Sequence, residues 1–177
     1  MMLRLKDVEA CKSPIIEIDE YVPLTIEFGS QSISPLYWRG GDGSLSLIEI
    51  GLCEDSGAIN SATLTSIAPA CVLKTTEPLN STLPEIEGIV VFDISDWSRY
   101  TNAYSDKFKD DFGSSFDLII GDSYAVIVLA KDNKPARYVK NGQIRIGISP
   151  TGDFSTLEIM ELTPNQIELL QQACNIS

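Results

Sequence analysis

The chain has 177 residues, of which 44% are hydrophobic and 21% are charged, and this composition argues against a disordered protein. A chain of this length can bury a core without disulfides or bound metals, so we expect a single domain over residues 1–177. Its 13 basic and 25 acidic residues leave a net charge of -12, which argues against direct binding of nucleic acid or an anionic membrane surface.

The sequence carries no signal for export or membrane insertion. No unbroken apolar segment follows the N-terminal residues, and no stretch approaches the ~20 apolar residues of a membrane span. The four cysteines are far apart and form no C-x-x-C pair, so their spacing builds neither a zinc site nor a redox motif. We therefore expect a cytoplasmic protein with reduced, buried thiols and no membrane contact.

Turn signals divide most of the chain into strand-length segments. Apolar or alternating patterns predict strands over Pro14–Ile18, Val22–Phe28, Leu45–Leu52, Ile59–Ile67, Ile86–Ile94, Phe116–Ile120, Tyr124–Ala130 and Phe154–Glu161. Residues 74–85 contain two prolines among polar residues and are predicted to form an extended connection.

A hairpin is predicted near residue 141. Ile144, Ile146 and Ile148 alternate with more polar positions, as expected for a half-buried antiparallel strand. Asn141-Gly142 suits a type I′ turn, so Ala136–Lys140 should pair with Gln143–Ile148.

Residues 45–69 and 141–164 resemble each other. Ile48–Leu52, an Asp-Ser-Gly turn and a strand ending at Pro69 match Ile144–Ile148, a Thr-Gly-Asp turn and a strand ending at Pro164. Alternation and turn chemistry alone also generate such matches. If the repeat is real, two related hairpins lie in one sheet system.

The C-terminal segment is predicted to be helical. Thr163 can act as N-cap with Pro164 at N1 and Gln166 at N3, the pattern of a capping box. The apolar face then consists of Ile167, Leu170 and Cys174, with Leu169 and Ala173 beside it.

A second, mid-chain helix is predicted after Ser95. Aromatic residues recur there at intervals of three or four and would form a stripe, namely Trp97, Tyr100, Tyr104 and Phe108. The predicted fold class is therefore α+β: a mainly antiparallel β-sheet built from hairpins, with a C-terminal helix and one mid-chain helix.

Histidine is absent from the sequence. Its absence removes the usual general base at neutral pH, the Ser-His-Asp and Cys-His arrangements, and the commonest metal ligand. Serine and lysine occur without a recognised catalytic context. We expect a protein that is not an enzyme, and we assign no catalytic, metal-binding or cofactor-binding residue.

Two short motifs could in principle hold an ion or a phosphate. Gly40-Gly41-Asp42-Gly43 lacks the lysine of a P-loop, and Asp42 would repel phosphate, so a hairpin loop is the better interpretation. Glu17, Asp19 and Glu20 cluster without the spacing of an EF-hand, which favours a solvated strand end.

The segment from Phe92 to Asp117 interleaves acidic residues with aromatic rings. Aromatic side chains supply contact area at low entropic cost, and carboxylates can pair with the cations of a partner. The candidate partner-binding residues are Asp93, Asp96, Trp97, Tyr100, Tyr104, Asp106, Asp110 and Asp111. The alternative is that the rings belong to the core and the aspartates form a solvated face.

Several of these segments together resemble certain bacterial immunity proteins that accompany contact-dependent or other polymorphic toxins. The resemblance covers Leu47–Leu52 with the following Asp-Ser-Gly turn and strand, Val139–Ile144, and the helix that begins at Leu162-Thr163-Pro164. It implies a small, often acidic cytoplasmic protein that binds and blocks one toxin domain. It implies no shared catalytic residue.

The leading hypothesis is thus an immunity-type inhibitor whose acidic face occludes the active site of a basic toxin domain. One alternative is a β-rich module that binds a small ligand or helps to assemble a complex. Another is a carboxylate-based hydrolase.

Overall fold

The computed structural model describes residues 2–29, 32–97 and 103–176, in which β-strands predominate. The strands are β1 (Leu5–Glu9), β2 (Ile15–Glu17), β3 (Leu24–Glu27), β4 (Leu36–Gly41), β5 (Leu47–Leu52), β6 (Ile59–Ser66), β7 (Val72–Lys74), β8 (Glu85–Glu87), β9 (Ile89–Phe92), β10 (Phe108–Asp111), β11 (Asp117–Ile120), β12 (Ala125–Val128), β13 (Arg137–Asn141), β14 (Ile144–Ile148) and β15 (Phe154–Ile159). One α-helix, α1, spans Pro164–Ala173, and short 3-10 helices occupy Pro69–Cys71, Ser95–Trp97 and Tyr104–Lys107.

Each strand predicted from the hydrophobic pattern has a counterpart, with ends that differ by a few residues. The predicted strand Ile86–Ile94 is divided into β8 and β9 by Gly88, where a Cβ atom would collide with the side chain of Val8. The predicted extended connection joins β7 to β8. The fold is thus rich in β-structure with a C-terminal helix, as expected.

The predicted hairpin is formed by β13 and β14, which pair in antiparallel register from Arg137 opposite Ile148 to Asn141 opposite Ile144. The turn is therefore centred on Gly142 and Gln143, one residue later than predicted. Of these two turn residues, only Gly142 has a positive φ, of 60°. A type I′ turn needs positive φ at both central residues, so the predicted turn type was wrong.

The predicted mid-chain helix is wrong in the part of it that the structure describes. Residues 95–97 and 104–107 form separate 3-10 turns, and Phe108–Asp111 is strand β10, which pairs in parallel with β4. Serine, threonine, asparagine and aspartate in this segment are weak helix formers. Pairing with β4, a distant part of the chain, therefore outweighs the helical spacing of the aromatic rings.

Two larger sheets share one strand order. The first sheet runs β10-β4-β5-β6-β3-β2, and the second runs β8-β13-β14-β15-β12-β11-β7. In each, three sequential antiparallel strands lie beside a fourth strand that precedes them in the chain, which is a Greek-key arrangement.

The prediction of a mainly antiparallel sheet built from hairpins is wrong at the edges of these sheets, where strands pair in parallel. The outermost strands β10 and β8 pair in parallel with β4 and β13, and β7 pairs in parallel with β11. Both sheets are therefore mixed.

The two similar hairpins, β5–β6 and β14–β15, lie in different sheets rather than in one. Their registers correspond residue by residue. Gly51 faces Ser61 and Gly147 faces Thr156, and in both hairpins the register shifts immediately after this glycine. The two hairpins thus share their register and the position of one β-bulge.

The inward sides of both sheets meet in one hydrophobic cluster. Ile48, Ile50 and Leu52 of β5 and the isoleucines of β14 are fully or almost fully buried. Strand β9 pairs with β1 in a separate two-stranded sheet, and Phe92 packs against Phe154 of the second sheet at a ring distance of 5.3 Å. Truncating one such buried isoleucine to alanine typically costs ~2–5 kcal/mol.

The helix α1 begins with the predicted capping box. Thr163 Oγ1 accepts a hydrogen bond from the Gln166 backbone at 3.2 Å, and the Gln166 side chain accepts one from the Thr163 backbone at 2.9 Å. Ile167, Leu170 and Cys174 are buried in the core, as predicted. Within the described residues, no helix is long and apolar enough to cross a membrane.

Removing the cap should weaken this helix measurably. Thr163→Ala deletes the acceptor of the Gln166 backbone N–H, so we expect the free energy of unfolding to fall by about 1 kcal/mol. Urea denaturation measures this effect. Thr163→Ser keeps the acceptor and is the matched control; equal losses in both variants would contradict the capping role.

The cysteines are less uniformly buried than the sequence indicated. Cys11 is exposed, Cys53 and Cys71 are half-buried, Cys174 is buried, and all four thiols are free. Burial raises the pKa of the Cys174 thiol to about 11. Only the thiolate reacts rapidly with alkylating agents.

Cys174 should therefore resist alkylation in the folded protein, while Cys11 reacts. Mass spectrometry after brief treatment with iodoacetamide near pH 8, with and without denaturant, tests this difference. Equal labelling of the two thiols in native buffer would contradict the burial of the C-terminal helix.

Candidate functional site

The outward side of the first sheet carries a continuous polar and aromatic surface, which we call the first outer face. Because side chains alternate along a strand, residues next to the buried core positions point away from it. Strand register arranges these outward residues in two rows. The rows are Phe108, Tyr37, Gly51, Ser61, Glu27 and Ile15, and Asp110, Arg39, Glu49, Thr63, Thr25 and Glu17.

Aromatic rings and one arginine anchor strand β10 to β4 on this face. Tyr37 and Phe108 stack with ring centroids 5.1 Å apart, and Tyr104 meets Phe108 edge-on at 5.2 Å. The guanidinium of Arg39 lies 4.6 Å from the Phe108 ring centroid and donates two hydrogen bonds to Asp110, at 2.7 and 2.9 Å. This bidentate geometry fixes the orientation of Arg39.

Beside this cluster lies a groove of about 370 Å³. It is lined by Thr25, Glu27, Ser32, Pro35, Tyr37, Glu49, Asn60, Ser61 and Thr63. Burial raises the pKa of Glu49 above its ordinary value, although the charge of Arg39 opposes the shift. Burial and the nearby Glu49 and Tyr104 also raise the pKa of Tyr37. Glu49 is therefore a partly desolvated carboxylate whose nearest cation is already held by Asp110.

The corresponding side of the second sheet, the second outer face, is covered by the chain itself. Strands β7 and β8 lie at opposite edges of that sheet. The connection between them, residues 75–84, must therefore cross the sheet. Six inter-strand spacings amount to roughly 29 Å, which ten residues span only when nearly extended. We call this segment the strap.

Contacts beneath the strap confirm its path. Tyr124, which precedes β12, donates its hydroxyl to the carbonyl of Glu77 in the strap at 2.7 Å. Tyr138 and Thr156 are buried, whereas the corresponding Tyr37 and Ser61 of the first outer face are partly exposed. The second outer face is therefore internal, and the first is open.

An ion pair lies on the second outer face. Arg145 Nε donates to Glu158 at 2.7 Å, and its guanidinium lies 4.1 Å from the Tyr138 ring centroid. Arg145 is 8% and Glu158 2% exposed, and Glu85 of β8 lies 3.5 Å from the same arginine. Desolvation raises the pKa of Glu158, and the hydrogen bond from Arg145 opposes that shift.

Two residues of the predicted partner-binding set lie on or beside the first outer face. Tyr104 is 71% exposed next to Phe108, and Asp110 binds Arg39. Asp106 lies in the 3-10 turn that precedes β10, and Asp111 ends that strand.

The other predicted residues lie elsewhere. Trp97 is only 4% exposed and donates its indole N–H to the Lys107 carbonyl at 2.9 Å, so its ring belongs to the core. Asp93 and Asp96 are exposed near the end of β9, and the backbone N–H of Ser95 lowers the pKa of Asp93. Tyr100 lies outside the described residues. The structure thus does not bring the predicted set together as one surface.

The site residues predicted from the sequence did not include Tyr37, Arg39 or Glu49. Strand β4 was not predicted because Pro35 precedes it and Gly40-Gly41 reads as a turn. Alternation of Leu36, Trp38 and Gly40 with Tyr37 and Arg39 is the signal that could have located it. Gly40 is required because a Cβ there would collide with the Trp38 ring.

Within the described ranges, no group of three or more cysteine, aspartate or glutamate side chains could hold a metal ion. No protein-family model matches the sequence, and no curated protein matches it. The first outer face is therefore the feature of the molecule that bears on function.

Proposed function

We propose that this protein is an immunity-type inhibitor that binds a basic partner, a bacterial toxin domain, and occludes its active site without chemistry of its own. The observation that carries the proposal is the contrast between the two outer faces. The second is covered by the strap, whereas the first leaves stacked aromatic rings and the groove beside Glu49 open to a partner.

Charge on the first outer face supports a basic partner. Four carboxylates accompany a single cation, Arg39, among the residues of this face; they belong to Glu17, Glu27, Glu49 and Asp110. The whole chain has a net charge of -12. Such a surface accelerates encounter with a cationic protein and disfavours binding to phosphate groups.

The arrangement of side chains also suits a protein interface. Exposed Tyr104 lies beside Phe108 and Tyr37, and Phe112 is partly exposed on the far side of Arg39. Aromatic residues at the centre of a contact supply most of its binding energy, while charges at the rim act mainly on the association rate. Occlusion requires only tight binding over the toxin's catalytic cleft.

We expect the gene directly upstream to encode a basic toxin domain, and co-expression of that domain with this chain tests the proposal. Cells that produce the toxin should grow only when the wild-type chain is present, and the two purified proteins should associate more slowly as salt increases.

Reversing the charge of Glu17 and Glu49 to lysine should slow association at low salt by about tenfold and reduce its salt dependence. Asp110 is kept because its loss would release Arg39 and β10. The double variant Glu87→Lys/Glu168→Lys, at exposed positions away from the first outer face, is the control with the same charge change. Failure of the wild-type chain to protect, or equal protection and binding by all three forms, would refute the proposal.

A further inference from the structure

We propose that the groove on the first outer face receives an extended segment of the partner that carries an arginine or lysine, lying across the sheet as the strap lies across the second outer face. The inference rests on the proposed function, since it specifies how the partner is held. It follows from the corresponding registers of β4–β6 in the first sheet and β13–β15 in the second.

The register of the strands makes this equivalence specific. Tyr37 faces Gly51, which faces Ser61; in the second sheet Tyr138 faces Gly147, which faces Thr156. A Cβ on either glycine would collide with the facing hydroxyl and approach the facing tyrosine, at 3.6 Å for Tyr37 and 3.3 Å for Tyr138. Both faces therefore place a glycine between a tyrosine ring and a hydroxyl side chain.

The two outer faces differ at the position of Arg145. On the second outer face, Arg145 lies between the Tyr138 ring and the Glu158 carboxylate. The position that corresponds to Arg145 is Glu49, and the position that corresponds to Glu158 is Thr63. Glu49 thus puts a carboxylate where the second outer face has a cation, and a partner's arginine or lysine fits between it and the Tyr37 ring.

The electrostatics of the groove favour this occupant. Arg39, the nearest cation to Glu49, is engaged by both oxygens of Asp110. A partly desolvated carboxylate gains from a second cation more than a solvated one does, because water screens the pair less. The buried side-chain nitrogen of Asn60, a residue that lines the groove, has no hydrogen-bond partner among the described residues, and the backbone carbonyl of an extended segment is a suitable acceptor.

The size of the groove sets the length of the segment. Its lining residues come from β4, β5, β6 and β3 and from the loop before β4. Crossing four strands covers roughly 14 Å, which an extended chain spans with about five residues. The strap shows that proline fits such a path, because it contains Pro78 and Pro84.

Two labelled seven-residue peptides test the inference directly. Both contain proline on each side of the central residue, which is arginine in one and the neutral isostere citrulline in the other. Fluorescence polarisation should show at least about tenfold tighter binding of the arginine peptide. Its affinity should fall as the pH decreases toward the raised pKa of Glu49, because protonation removes the carboxylate charge.

Three variants test whether the preference for the arginine peptide arises in the groove. Glu49→Gln should abolish the preference for arginine while leaving the citrulline peptide unaffected, and Tyr37→Leu should weaken both peptides. Glu87→Gln removes an exposed glutamate from the second sheet and should change nothing. Circular dichroism checks that each variant is folded.

The outcomes separate this inference from the proposed function. If the toxin is bound and neutralised but the groove shows no preference for arginine, the mode of recognition is wrong and the inhibitor function stands. If arginine peptides bind through Glu49 while no basic toxin is bound, the groove is real and the inhibitor function fails. A preference for arginine that survives Glu49→Gln overturns the inference.

Discussion

Replacing Arg145 with methionine should lower the free energy of unfolding by about 3–5 kcal/mol, since it leaves the Glu158 carboxylate buried without its counter-ion. Glu158 is 2% exposed and accepts a 2.7 Å hydrogen bond from Arg145. Methionine keeps most of the packing volume, so the loss reports chiefly on the uncompensated charge. Urea denaturation near pH 7 measures the change.

The double variant Arg145→Met/Glu158→Leu is the matched control. It removes the stranded charge along with its partner, so most of the lost stability should return. If the double variant is as unstable as the single one, packing by the arginine side chain is the dominant contribution, and the ion-pair explanation is wrong.

The loss in free energy of unfolding caused by Arg145→Met, which we call the deficit, should also depend on pH. Burial raises the pKa of Glu158 above its ordinary value of 4.5. A carboxyl group with a higher pKa in the folded state contributes stability that is fully present below the unfolded pKa and is lost as the pH rises through the folded pKa. Removing Arg145 raises the folded pKa further. The deficit of Arg145→Met should therefore be largest at neutral pH and shrink as the pH falls toward 4.5; a constant deficit would contradict this explanation.

Gly57→Ala should destabilise the fold by about 2–4 kcal/mol through a steric clash added to backbone strain. Gly57 has φ of 82° in the turn between β5 and β6, and a Cβ there would collide with the carbonyl oxygen of Phe92. The backbone of Phe92 also donates a 2.9 Å hydrogen bond to the Gly57 carbonyl. The methyl group would therefore push β9 away from the first hairpin.

Gly152→Ala is the control that introduces backbone strain without a steric clash. Gly152 has a similar φ of 89°, but a Cβ there would meet no atom within 4 Å. The expected loss is therefore only about 1 kcal/mol. Thermal and urea unfolding of both variants gives the difference, and similar losses would show that the contact between Gly57 and Phe92 is loose.

Local patterns predicted the elements whose pairing partner is nearby in the chain. Alternating isoleucines in β14 and the Asn141-Gly142 turn signal located the β13–β14 hairpin to within one residue. Adjacent strands and turn geometry together determine the register of such a hairpin. The capping box of α1 was predicted for the same reason: all its hydrogen bonds join residues three apart.

The remaining elements depend on partners far along the chain. Phe108–Asp111 forms a strand because Tyr37 and Arg39 provide a stacking surface and an ion-pair partner about 70 residues earlier. No local pattern contains that information. The first outer face was missed for the same reason, since its tyrosine, arginine and glutamate come from strands that meet Phe108 only after folding.

The origin of the edge strands β8 and β10 affects how the protein folds during synthesis. Both β8 and β10 come from the chain between the two Greek-key units, yet they complete different sheets. While the ribosome makes residues 42–107, the outer edge of β4 has no partner, and an unpaired edge is a template for aggregation. Strand β8 emerges early but must wait for β13. The nascent chain therefore carries an unpaired edge of the first sheet until β10 is made, and the unpaired strand β8 until β13 is made.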